Sequence, residues 1–173
     1  WNPVIIKDPN GEKGVKVVDT KSKTITVKAT YYVISNPRLN CENTFYTEKE
    51  INSMNIEINS ILNNQGYTYE YGGDLYNVSF DLNFIPAGDY IDAISLKNKD
   101  PYGNCFTRMP EKLAPNIFPV IDNNDGTVTH TAGVHQDDEI IMNANYGDNN
   151  RNRIHEIFHS LYFNNDNADS GIG

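Results

Sequence analysis

The chain has 173 residues, 38 % of them hydrophobic and 11 % aromatic, which is the size and content of one ordinary domain with a real core. Its 14 Lys and Arg against 23 Asp and Glu give a formal net charge of -9, and no basic cluster interrupts that balance, so binding or cleavage of nucleic acid is disfavoured and a protein or peptide partner is expected. No apolar run reaches the roughly 18 residues of a membrane helix, which speaks against membrane insertion, and two cysteines, Cys41 and Cys105, are too few for a disulfide scaffold but permit one bond, to which the reading leans slightly.

Residues 1–18 open with WNPVIIKDPNGEKG, dense in Pro, Gly, Asn and charge, and read as a linker or the end of an upstream region. The start at Trp1 and the stop at Gly173 in a polar stretch read as those of a piece excised from a longer polypeptide. The compact domain is expected over 19–173. Residues 24–34 alternate, with Ile25, Val27, Ala29, Tyr31 and Val33 on one face, and predict a half-buried strand. Thr47 and Glu50 have the spacing of a capping box, and Ile51, Met54, Ile58, Ile61 and Leu62 follow at helical intervals up to Gln65 and Gly66.

Val78, Phe80, Leu82 and Phe84 alternate again before Pro86 and predict a second strand. Residues 87–119 carry no clear period and are expected to be loops with short elements. Asp122 to Gly126 has the glycine at the wrong offset for a calcium loop and reads as an Asp-Gly hairpin turn. Ile140, Ile141 and Met142 predict a short strand, after which Asp148, Asn149 or Asn150 can cap a helix starting near Arg151. The order of strands and helices predicts an α/β (α+β) fold with a single central mixed sheet, one helix in the N-terminal half and one carrying the site.

That last helix holds the sharpest signal in the chain. His155, Glu156 and His159 form H-E-x-x-H, and residues four apart lie on one line of a helix, so two imidazoles can reach one ion at about 2.0–2.1 Å. Ile154, Ile157, Phe158 and Leu161 form the core-facing stripe, which sets the histidines at its flank and the ion at the floor of a cleft. The pattern predicts a zinc-dependent endopeptidase: Zn2+ brings the pKa of its water to about 7, and Glu156, as general base, takes the proton and passes it to the leaving amine.

The segment HEIFHSLYFNND resembles the metzincin clan, which reads H-E-x-x-H-x-x-G-x-x-H or D. Here Tyr162 stands where that clan has its glycine and Asn165 where it has its third ligand. Asp166, one place later, is the expected third ligand; Asp169, His130 or His135 are the alternatives. The clan's methionine turn has no counterpart after His159, since the three methionines are Met54, Met109 and Met142. His135 or Tyr162 are candidates for stabilising the oxyanion of the tetrahedral intermediate.

A second resemblance concerns about twelve residues at the start, where Trp1-Asn2-Pro3 and Asp8-Pro9-Asn10-Gly11 look like the end of the core region of Rhs-repeat proteins. In that family a variable C-terminal domain follows, usually a toxin delivered into competing cells. The resemblance implies the metallopeptidase toxin domain of a secreted bacterial effector, delivered out of a bacterial cell, with a cognate immunity protein as partner. The contrasting reading is a non-catalytic binding or adhesion module with a structural zinc, or no metal, at His155 and His159.

Overall fold

The computed structural model of the chain describes residues 4–6 and 14–161, which fold around a single curled mixed sheet. Strands β1 (Val4–Ile6), β2 (Val15–Asp19) and β3 (Thr24–Val33) come first, followed by helix α1 (Glu48–Asn63). Strands β4 (Thr68–Tyr71) and β5 (Asp74–Pro86), helix α2 (Tyr90–Lys99) and strand β6 (Gly103–Met109) make the middle. Strands β7 (Val120–Asp122) and β8 (Val128–His130) form a separate hairpin, and β9 (Gly133–Gln136), β10 (Glu139–Asn143) and helix α3 (Asn150–Ser160) close the described chain. No helix among the described residues is long and apolar enough to cross a membrane.

β3 is the hub. Along one side it pairs in parallel with β5; along the other it pairs first with antiparallel β2 and then, from Thr30 to Val33, with parallel β6. The sheet continues from β6 through parallel β10 to antiparallel β9. Period-two alternation sends Val27, Ala29, Tyr31 and Val33 of β3 and Phe80, Leu82 and Phe84 of β5 into one core, against Ile51, Met54, Ile58 and Leu62 of α1 and the apolar stripe of α3. Helix α2 covers the opposite face, where Ala93 meets Ile34, Ala87 and Cys105. Burying each large side chain of the α3 stripe contributes about 1.5–3 kcal/mol, which seats the helix without help from its polar residues.

The outer edge of β5 is closed in an unusual way. Asn63, Asn59 and Asn55 of α1 each present a carboxamide to one residue of the strand. Asn59 Oδ1 accepts from the Leu82 N–H at 2.9 Å and its Nδ2 donates to the Leu82 carbonyl at 2.8 Å. Asn63 does the same for Phe80 at 2.8 and 2.9 Å, and Asn55 for Phe84 at 2.8 and 2.7 Å. Four helical residues rise about 6.0 Å and two strand residues about 6.6–6.8 Å, so asparagines at i, i+4 and i+8 stay in step with alternate strand residues for three rungs. The side-chain amides thus take the place of a neighbouring strand, leaving none of these backbone groups unpaired.

The elements expected from sequence form where periodicity was clear, and the capping box of Thr47 with Glu50 is present. Four expectations change. Sheet pairing reaches back across the 18/19 boundary, because β2 pairs with β3 and buries Val18 against Ile25; only the composition around them was linker-like. The stretch 87–119 holds a full helix and a central strand. Helix α2 starts from a capping box made by Asp89 and Asp92, but it buries only Ala93 fully, so it has no visible apolar stripe. β6 is covered on both faces, which erases alternation. His130 and His135, in the segment THTAGVH whose Thr and Gly content reads as a loop, sit on β8 and β9, and Cys41 and Cys105 carry thiols instead of a shared disulfide.

Candidate metal centre

Helix α3 is fixed at both ends before any functional group is considered. Asn149 is its N-cap, its side chain accepting from the Asn152 N–H at 3.1 Å. Asp148, just ahead, receives Arg153 Nε at 2.6 Å, Arg108 Nη1 at 3.1 Å and the Tyr46 hydroxyl at 3.0 Å. Arg108 also donates to Glu50 Oε1 at 2.8 Å, so one buried cluster ties α3 to β6 and α1. At the other end, the hydroxyls of Ser160 and fully buried Tyr31 of β3 lie 2.8 Å apart in a hydrogen bond.

Between these anchors the helix presents His155 and His159 half-buried, with their Nε2 atoms 3.0 Å apart. Two nitrogens at about 2.0–2.1 Å from one tetrahedral ion stand roughly 3.3 Å apart, so the separation of the two rings is within a few tenths of an ångström of the chelating value. The two nitrogens are within hydrogen-bond distance, and which of them donates depends on the tautomers of the rings. Glu156 lies beside them and is only 6 % exposed; burial alone pushes its carboxyl up to about 7. His155 and His159 supply two imidazole nitrogens of a kind that can hold a divalent cation, and Glu156 follows the first of them on the helix.

Strand β9 lies alongside α3. Its pairing with β10 places Gly133 opposite Met142 and His135 opposite Ile140, and since Met142 and Ile140 face the core under α3, Gly133 and His135 face that helix too. The Asn143 N–H donates to the Ala132 carbonyl at 2.8 Å, which makes Gly133–Met142 a pair without mutual hydrogen bonds. The N–H and C=O of Gly133, and by the same alternation those of His135, therefore point away from β10. Among the described residues no strand lies beyond β9 to meet them.

Gly133 lies directly against Glu156: a Cβ there would stand 3.0 Å from Glu156 Cγ. His135 is two residues farther along the same face, near enough to His159 to feel its charge. Its pKa is lowered, first by burial and then by that charge. His130 is engaged elsewhere, with Nδ1 2.9 Å from Glu111 Oε2 and its ring stacked on Tyr146 at 3.6 Å. Among the described residues no set of three or more His, Cys, Asp or Glu that could hold an ion is formed. Asp166, Asp169 and Tyr162 lie outside the described residues.

Gly133 and the Asp148 cluster carry no motif of their own. The lone glycine of the THTAGVH segment, on a short run before the Ile140 strand, was the one available hint that something approaches the backbone there. No protein-family model, curated protein or solved structure matches the chain.

Proposed function

We propose that this chain is a zinc-dependent endopeptidase in which His155, His159 and Asp166 hold the ion and Glu156 is the general base. The observation that carries the reading is the convergence of two ring nitrogens at 3.0 Å beside a carboxyl raised to about 7. When bound, zinc supplies Lewis acidity that polarises a carbonyl and makes water acidic near neutral pH. Glu156 takes the proton of the attacking water as the new C–O bond forms, then returns it to the amine as the C–N bond breaks. Burial holds its pKa near the working pH, where a base can both accept and release.

A peptide substrate is favoured by the wall opposite Glu156. The outward N–H and C=O groups of Gly133 and His135 suit an extended main chain lying along β9, which would bring a carbonyl past the carboxyl of Glu156. The net charge of -9 also agrees with a peptide better than with a polyphosphate. That the domain is a delivered bacterial toxin with an immunity protein rests on the resemblance of its first residues to Rhs proteins.

The second reading, a binding module, draws on the same pair, because the contact between His155 and His159 satisfies both rings without an ion. Comparison of wild type with Glu156→Gln separates the two. The peptidase reading expects Glu156→Gln to keep its zinc and lose about 10²–10⁴-fold in the rate of casein cleavage. Equal rates, or no cleavage by the zinc-loaded wild type, would favour the module.

A further inference from the structure

We propose that Gly133 is a positioning residue for Glu156: a bare backbone at this one place on the open edge strand lets the general base lie against the strand where substrate would pair. The inference rests on the peptidase reading of Glu156. Glycine in a strand needs a reason, since it packs no side chain and loses more backbone freedom than other residues. The reason here is not the backbone angle. Gly66, Gly72, Gly73, Gly88 and Gly126 have positive φ, whereas Gly133 does not.

Space is what Gly133 provides. A Cβ at 133 would stand 3.0 Å from Glu156 Cγ and 3.0 Å from both Cε and Sδ of Met142. Met142 is fully buried on β10 and has no solvent to swing into. Glu156 sits on a helix held by the Asn149 cap at one end and by Tyr31 and Ser160 at the other, so the helix cannot retreat as a body. Both side chains facing the new Cβ must give, the thioether end of Met142 within the core and Glu156 at its Cγ. A methyl group at 133 shifts the Glu156 side chain by a few tenths of an ångström, and a branched side chain pushes it farther. The same residue turns its N–H and C=O outward, and a Cβ on its helix-facing side leaves those groups in place for an incoming peptide.

Gly133→Ala and Gly133→Val in the full chain test this, with Glu156→Gln alongside. Four quantities are read: bound zinc, thermal midpoint, kcat and KM on casein, and the 13C signal of the Glu156 carboxyl in the metal-free protein. The new Cβ meets Met142 and Glu156 at 3.0 Å, both buried, so the midpoint should fall slightly for Ala and further for Val. One equivalent of zinc should remain and KM should change little. The kcat should fall by ~10-fold for Ala and ~100-fold for Val, as expected when a reacting group is displaced by a fraction of an ångström to about one ångström. The carboxyl signal should move in both variants. A kcat that is unchanged, or that falls only in step with zinc and midpoint, overturns the inference, as does an unmoved carboxyl signal. Active wild type with active Gly133→Val sinks this inference alone; wild type no faster than Glu156→Gln sinks the peptidase reading and takes the inference with it.

Discussion

The two long flanks of the sheet solve the edge problem in opposite ways. Along β5, three asparagines of α1 complete the backbone of Phe80, Leu82 and Phe84, and the Tyr67 carbonyl completes Val78 at 2.8 Å. Along β9, the N–H and C=O of Gly133 and His135 face outward, and among the described residues no strand answers them. An exposed edge is a liability that folds usually cover. The β5 edge is sealed by side chains, whereas the β9 edge stays open beside a buried carboxyl and two histidines, which is where the proposed function would have a substrate pair.

The sharpest way to break this contrast is to ask what the open side costs. In the metal-free protein Glu156 is protonated up to about pH 7, while in the unfolded chain it ionises near 4.5. Between those values the folded state binds the extra proton, so stability falls as pH rises and the full penalty is present above about 7. Glu156→Gln should therefore stabilise the metal-free protein at pH 8 by on the order of 3 kcal/mol and leave it unchanged below pH 4.5. Denaturant titrations at the two pH values check this; an equal effect at both would mean that the carboxyl is not desolvated.

Somewhat smaller effects should separate the two edges directly. Asn59→Leu strips Leu82 of partners for both its N–H and its C=O and should cost about 2–4 kcal/mol, with a rise in self-association as the strand becomes available. His135→Pro deletes an N–H that the ladder does not use, and proline is tolerated on edge strands, so its cost should stay below about 1 kcal/mol. Its KM for casein should rise relative to His135→Ala, which keeps the N–H. Equal stability losses for Asn59→Leu and His135→Pro would erase the distinction between a sealed and an open edge.

Much of this was legible before any coordinates. β3, β5, β10, α1 and α3 follow from periods of two and 3.6 and from caps such as Thr47, since those patterns are written within single elements. That His155, Glu156 and His159 share one helix was legible for the same reason. What the sequence concealed depends on relations between elements. β6 loses its alternation because both its faces are buried. The asparagine rungs need a helix step of four matched to a strand step of two, and only a general richness in Asn showed. Gly133 meets Glu156, 23 positions later in the numbering, through a strand register that no local pattern encodes.

The central claim is that His155 and His159 share one divalent ion. Equilibrium dialysis of the full chain against zinc at pH 7.5, with inductively coupled plasma readout, tests it most directly beside His155→Ala and His159→Ala. The account predicts one equivalent for wild type and a loss of at least ~100-fold in affinity for each variant, since two ligands of a catalytic site would remain where three are needed. Wild type that takes up no zinc, or variants that bind it as tightly as wild type, would contradict it.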